Sequence, residues 1–295
     1  MSRPNPRPDL DFRPVRNGID YLFSAVEHLT AGDDPPDDRD LKYAVLHMQA
    51  AAEVLLKARL VREHWALAFQ DPGTADQDAF LTGKFKSCTL EAAIDRLIRI
   101  ANVTITPKDR AAIKALSEDR NALTHYGHTA NAYQIETRAA RVLSFLLTFI
   151  HHHLYPQLTS EEDLELVEDR LSRLRERLSD INALVTNRMN DLSGELAPLA
   201  DRTVQCPACT QWAVVVGEPS PECRFCLEWW GVPHGAAMHY GSTAVSEDFA
   251  DLAPCPNCAK DLVVLGARVA HNKSTSIALC FGCAATPPLG DVAGR

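Results

Sequence analysis

The sequence predicts a mainly α fold that ends in two small β modules: a five-helix bundle, a heptad-patterned helix and two zinc ribbons. Three observations carry this expectation. Apolar residues recur three and four apart through the first half of the chain. Between Leu164 and Val185 they alternate three and four apart without a slip. Eight of the nine cysteines fall in four Cys-x-x-Cys pairs, all in the last third.

In chain order, residues 1–14 hold four prolines and several charges and read as a disordered arm. The helical domain is expected over 15–156. Its first helix begins near Val15, with Ile19, Leu22, Phe23, Val26 and Leu29 on one face. Asp33-Asp34-Pro35-Pro36-Asp37 is a loop. A long second helix follows from Asp38 to Phe69, with Leu41, Val45, Met48, Ala52 and Leu55 as its buried stripe. Asp71-Pro72-Gly73-Thr74 breaks the pattern, and the segment to Cys88 reads as irregular. Thr89 is a plausible cap for a third helix, Leu90 to Ala101. Thr106-Pro107-Lys108-Asp109 starts a fourth with a capping hydroxyl, a proline at the first position and a carboxylate in the first turn. Gly127 is placed to end it. The fifth, from Ala132 to Leu154, is apolar through Val142, Leu143, Phe145, Leu146, Phe149 and Ile150, and Pro156 stops it.

Residues 159–197 form the heptad helix or linker, with acid leading and Arg170, Arg173, Arg175 and Arg177 following, an order that suits the helix dipole. It can pack on the bundle, form a coiled-coil dimer or fold into a hairpin with another helix. The ribbons are expected at 202–232 and 253–286. Cys206, Cys209, Cys223 and Cys226 would supply one closed tetrahedral site, and Cys255, Cys258, Cys280 and Cys283 the other. Two structural zinc ions are thus the expected cofactors, and the metal should supply the folding energy of modules too small for their own core. Ribbons bind nucleic acid or protein. Trp229-Trp230 between them is either a stacking surface or a hydrophobic brace.

Net charge is −9, so any nucleic-acid contact has to come from a local patch. No apolar run is long enough to span a bilayer and the N-terminus lacks a secretory apolar core, which makes a cytoplasmic protein the default expectation. Cys88 stands alone as a small buried residue. His151-His152-His153 reads as a solvated helix end, because consecutive side chains diverge.

Two Arg-x4-His pairs occur. Arg59…His64 reads as a solvated face of the second helix. Arg120…His125 differs, because Ile113, Leu116, Arg120 and Leu123 put the arginine in the apolar stripe of its own helix. A guanidinium there needs a partner. It either forms a structural ion pair with a carboxylate such as Glu53, or borders a cleft that binds phosphate. Arg120 and His125 lie about 140° apart around a helix, whereas Asn121 and His125 share a face. A site built from all three therefore needs a loosened helix end or a second subunit.

Arg120-Asn121-x3-His125 on the fourth helix resembles the Arg-polar-x-His signature of the HEPN superfamily, and Ala51-Ala52-Glu53-Val54-Leu55-Leu56-Lys57 is similar to the second helix of those domains. The resemblance covers about residues 15–155. It implies a homodimer with two motifs facing each other across a twofold axis. It also implies a metal-independent endoribonuclease of the toxin–antitoxin or phage-defence kind, with RNA as substrate and an antitoxin or regulatory protein as a further partner. Arg120, Asn121 and His125 would be the catalytic residues, no cofactor would serve the chemistry, and Glu53 would support the site. Other members are inactive and serve as RNA-binding or dimerisation modules.

Overall fold

The computed structural model describes residues 12–31, 35–125, 129–246, 249 and 251–289. The chain divides into two compact units, one ending at Leu171 and one starting at Ser172. The first is helical. The second combines helices with two small antiparallel sheets, so the fold is mainly α.

In the first unit, α1 (Pro14–Leu29) and α2 (Asp38–Glu63) pack closely. Gly18 makes this possible, since a Cβ there would lie 2.5 Å from Leu55 Cγ. Asp37 caps α2 by accepting the Asp40 N–H at 2.8 Å. The helix stops at Glu63 rather than running to Phe69: His64 turns extended, and its Nδ1 accepts the Ala66 N–H to start a 3-10 turn. The stretch expected to be irregular instead holds short turns and α3 (Gln77–Leu81) over an aromatic cluster in which Phe69 and Phe85 stack at 4.3 Å. Arg96 fastens it by donating to the carbonyls of Leu67, Phe69 and Gln70.

Thr89 caps α4 (Leu90–Arg99), which ends two residues short of Ala101. Thr106 starts α5 (Pro107–His125), its Oγ1 accepting the Asp109 N–H and donating to the Asp109 carboxylate. Gly127, the expected stop, lies outside the described residues. The fifth helix is α6 (Ala132–Phe149), after which Ile150–Leu154 form a π-helical turn instead of continuing as α-helix. Two ion pairs join α5 to α6. Arg138 holds Asp119 through both carboxylate oxygens at 2.8 Å, and Arg141 holds Asp109 at 2.8 Å.

The heptad seam is not one helix. It is divided between α7 (Glu161–Arg177) and α8 (Asn182–Leu196) by a 3-10 turn at Leu178–Asp180 and an extended Ile181. Val167, Leu171, Leu174, Leu178 and Ile181 are buried as the periodicity predicts. Beyond the break the buried positions move to Leu184 and Arg188.

The sheets are small. β1 (Thr203–Gln205) pairs antiparallel with β2 (Trp212–Val215). In the other, the order is β3 (Ala253–Pro254), β4 (Asp261–Val269), β5 (Asn272–Cys280), all antiparallel. Between them lies α9 (Pro233–Tyr240). The two ribbons interlock through backbone hydrogen bonds: Ala270 N to Thr203 O, His271 N to Ala200 O and Gly217 N to Phe281 O. Tyr240 packs on Phe281 between them. Of the pair Trp229-Trp230, read as a stacking surface or a brace, Trp229 is 53% exposed and so does not brace the modules. Trp230 instead donates to His239 Nδ1 at 3.0 Å. Among the described residues no helix is long and apolar enough to cross a membrane.

Candidate functional site

The end of α5 carries the three residues singled out from sequence. Arg120 is half-buried, and Asn121 and His125 are exposed. Arg120 Nη1 donates to Asn121 Oδ1 at 3.0 Å, which aligns these neighbours side by side. Asn121 and His125 lie one turn apart on one face of the helix. Tyr126, Gly127 and His128 lie outside the described residues.

Glu53 does not form the ion pair with Arg120 considered from sequence. Its Oε1 takes Lys57 Nζ at 2.6 Å, one turn along α2, and Gln49 donates to the other oxygen. Lys57 also donates to Ser87 Oγ at 2.9 Å. Burial pushes the Glu53 carboxyl up, but Lys57, Gln49 and the more distant charge of Arg120 outweigh it and hold it below the ordinary value. Arg120 thus lies in the field of a carboxylate already committed elsewhere, and among the described residues no carboxylate comes within ion-pair distance of it.

The other Arg-x4-His pair is not a solvated face throughout. Arg59 is buried and pairs with Glu63, while His64 stays exposed at the start of the 3-10 turn. His153, in the π-helical turn, packs against Phe149, and burial, with the charges of His152 and Arg59, lowers its pKa. A polar group on α1 and α2 had no motif to announce it: Ser24 Oγ meets His47 Nδ1 at 3.0 Å, and His28 Nδ1 meets Asp40 Oδ1 at 3.0 Å. Its members are scattered over both helices, and only their packing unites them.

The eight paired cysteines form two separate clusters as their spacing predicts, Cys206/Cys209/Cys223/Cys226 and Cys255/Cys258/Cys280/Cys283. Within each, the sulfurs lie within 4.8 Å of one another. The cross-knuckle Sγ pairs Cys206–Cys226, Cys209–Cys223, Cys255–Cys283 and Cys258–Cys280 are all 3.7 Å apart. Four thiolates around a tetrahedral zinc at about 2.3 Å require sulfur–sulfur edges of about 3.8 Å, and a disulfide requires about 2.05 Å. The donor set fits a metal ion and not a pair of disulfides.

All four knuckles share one backbone design. The residue after the second cysteine donates its N–H to the carbonyl of the first: Thr210 to Cys206, Leu227 to Cys223, Ala259 to Cys255 and Ala284 to Cys280. That residue has positive φ in every case, from 55° at Ala259 to 62° at Leu227. The first cysteine's own N–H donates to the carbonyl of the residue after that: Cys206 to Gln211, Cys223 to Glu228, Cys255 to Lys260 and Cys280 to Ala285. The turn aims both thiols of each knuckle to one side.

Helices fasten the first cluster. Arg175 donates to Cys226 O and Leu227 O and pairs with Glu228 at 2.7 Å. Arg188 donates to Phe225 O and Arg224 O. Ser179, in the turn between α7 and α8, donates to Cys209 O. Arg224 gathers Glu195, Glu218 and Glu222; burial lowers its pKa, but these carboxylates outweigh that and raise it. Arg188 was legible only as a polar residue after the heptad seam; its role depends on a loop some 37 positions away.

No family model, no curated protein and no solved structure matches this chain. Fold and site together define a mainly helical protein whose second unit carries two four-cysteine clusters with the geometry to hold metal ions.

Proposed function

We propose that this chain is a metal-independent endoribonuclease of HEPN type, acting in the cytoplasm as a toxin or phage-defence effector. Two copies pair so that their α5 ends face one another. The observation that carries the reading is the accessibility of Asn121 and His125 beside an Arg120 that donates to a neutral amide, while Glu53, whose charge it feels, is engaged by Lys57. A phosphate oxygen is the natural ligand of such a guanidinium.

The reaction uses the 2′-hydroxyl of RNA. One imidazole removes its proton as the oxygen attacks the adjacent phosphorus. The bond from phosphorus to the 5′-oxygen breaks, and that oxygen takes a proton from a second imidazole. His125 of each copy fills one of these roles. Arg120 stabilises charge on the phosphorane oxygens, and Asn121 orients Arg120 through its amide oxygen. The products end in a 2′,3′-cyclic phosphate and a 5′-hydroxyl. Two zinc ions occupy the cysteine clusters, where a closed four-thiolate site supplies folding energy and leaves no position for substrate. The ribbons hold RNA, an antitoxin or a regulatory protein.

The test is cleavage of mixed RNA by zinc-loaded protein without added divalent cation, beside His125→Ala. The wild type should leave cyclic phosphate ends and the variant should be about 100-fold slower or worse. Intact RNA with the wild type, or equal cutting by the variant, overturns the proposal. A second reading, a non-catalytic dimerisation and adaptor protein, is favoured by the exposed Trp229 and Val232 beside the first ribbon. RNA binding without cleavage, unaffected by Arg120→Ala, would select it.

A further inference from the structure

We propose that the two cysteine clusters are chemically unequal: the second is a thiol-reactive centre that a hydroperoxide opens first, and the first is locked by buried arginines. Two independent observations lead there. All four cysteines of the first cluster are buried, whereas Cys258 and Cys283 of the second are half-buried and within reach of a small oxidant. The carbonyls of both first-cluster knuckles are held by side chains of α7, α8 and the turn between them, namely Arg175, Arg188 and Ser179. Arg175 and Arg188 are themselves only 6% and 7% exposed. Opening that cluster would take carbonyl acceptors from two buried guanidinium groups, a costly outcome. At the second cluster the side-chain contact is a weak one, Asn257 Nδ2 to Cys283 Sγ at 3.4 Å.

The chemistry balances with a hydroperoxide as the two-electron oxidant. The Cys283 thiolate attacks a peroxide oxygen, forming an S–O bond as the O–O bond breaks and hydroxide or alkoxide leaves. The Cys255 thiolate, 3.7 Å away, then attacks that sulfur. The S–S bond forms, the S–O bond breaks and a second hydroxide leaves. Two of the four donors are consumed, and metal affinity falls with them. The change reaches the first ribbon mechanically. Phe281, inside the oxidised knuckle, accepts the Gly217 N–H at 3.0 Å, and a Cβ on Gly217 would lie 2.9 Å from Ala284 Cβ.

The experiment treats zinc-loaded full-length protein with hydrogen peroxide. A chromogenic chelator reads metal release, and peptide mass spectrometry maps oxidised and alkylated cysteines. The expected result is a fast phase releasing half of the bound zinc, with modification confined to the second cluster. Cys258→Ser/Cys283→Ser should abolish that phase and leave the first centre loaded. Arg188→Met should speed loss from the first centre roughly ten-fold, the effect of about one lost charged hydrogen bond. Release in a single phase, earlier modification of Cys206 to Cys226, or no effect of Arg188→Met in a variant that keeps its circular dichroism would overturn the proposal. None of these readouts depends on RNA cleavage.

Discussion

Asp119 and Arg120 are neighbours with opposite assignments. Asp119 is almost wholly buried and gripped at both oxygens by Arg138, while Arg120 is left to a neutral amide. Arg138→Leu should therefore cost about 3 kcal/mol of stability, because it takes the guanidinium away from both oxygens of a buried carboxylate. Arg120→Ala should cost under about 1 kcal/mol and be felt in the proposed RNA cleavage instead. Urea melts of the two variants make the comparison, and equal losses would reject the division of labour. His47 gives a pH prediction. Burial lowers its pKa, the charge of His28 lowers it further, and Asp20 only partly offsets them. Below the ordinary histidine pKa the unfolded chain then takes up the proton more readily than the folded one. Stability should fall as pH drops from about 7.5 to about 5.5, and His47→Gln should flatten that slope. The caps at Thr89 and Thr106 were legible because capping is a local bond within four residues. The Arg138 partner of Asp119 was not, because it depends on how two helices meet. The pairing of Glu53 with Lys57 is legible from i, i+4 spacing alone, one turn apart on α2.

Helices and turns obey close-packing rules that substitutions can probe. Gly18→Ala puts a methyl into the space of Leu55, so a loss of about 1–3 kcal/mol is expected, measured by chemical denaturation. The knuckles offer the opposite sign. Ala259 adopts φ 55°, a conformation glycine takes without penalty. Ala259→Gly should raise stability by about 0.5–1 kcal/mol, read as a higher midpoint for thermal unfolding of the zinc-loaded protein. Periodicity revealed the seam from Val167 to Ile181, where every expected position is buried. It did not reveal the break at Ile181, because Ser179 is recruited there by a carbonyl of a knuckle thirty residues onward.

At the scale of the molecule, cysteine spacing made both four-cysteine clusters legible, since two pairs per cluster lie close in sequence. The division at Leu171 was not legible, because α7 continues across it without a change of pattern. The two units should answer differently to a strong chelator. Amide protection over β2, β4 and β5 should vanish, while that of α1, α2 and α6, built around an apolar core, should survive. Hydrogen exchange before and after chelation is the measurement, and uniform loss across both units would refute a separate core. The strap from the β4–β5 turn back to Ala200 and Thr203 has a temporal corollary. Because a ribosome delivers residues in order, the earlier ribbon emerges while its fastening at Ala270 and His271 is still untranslated. Its sulfurs can meet a metal at once, but the surrounding architecture waits for the later hairpin to arrive and latch it.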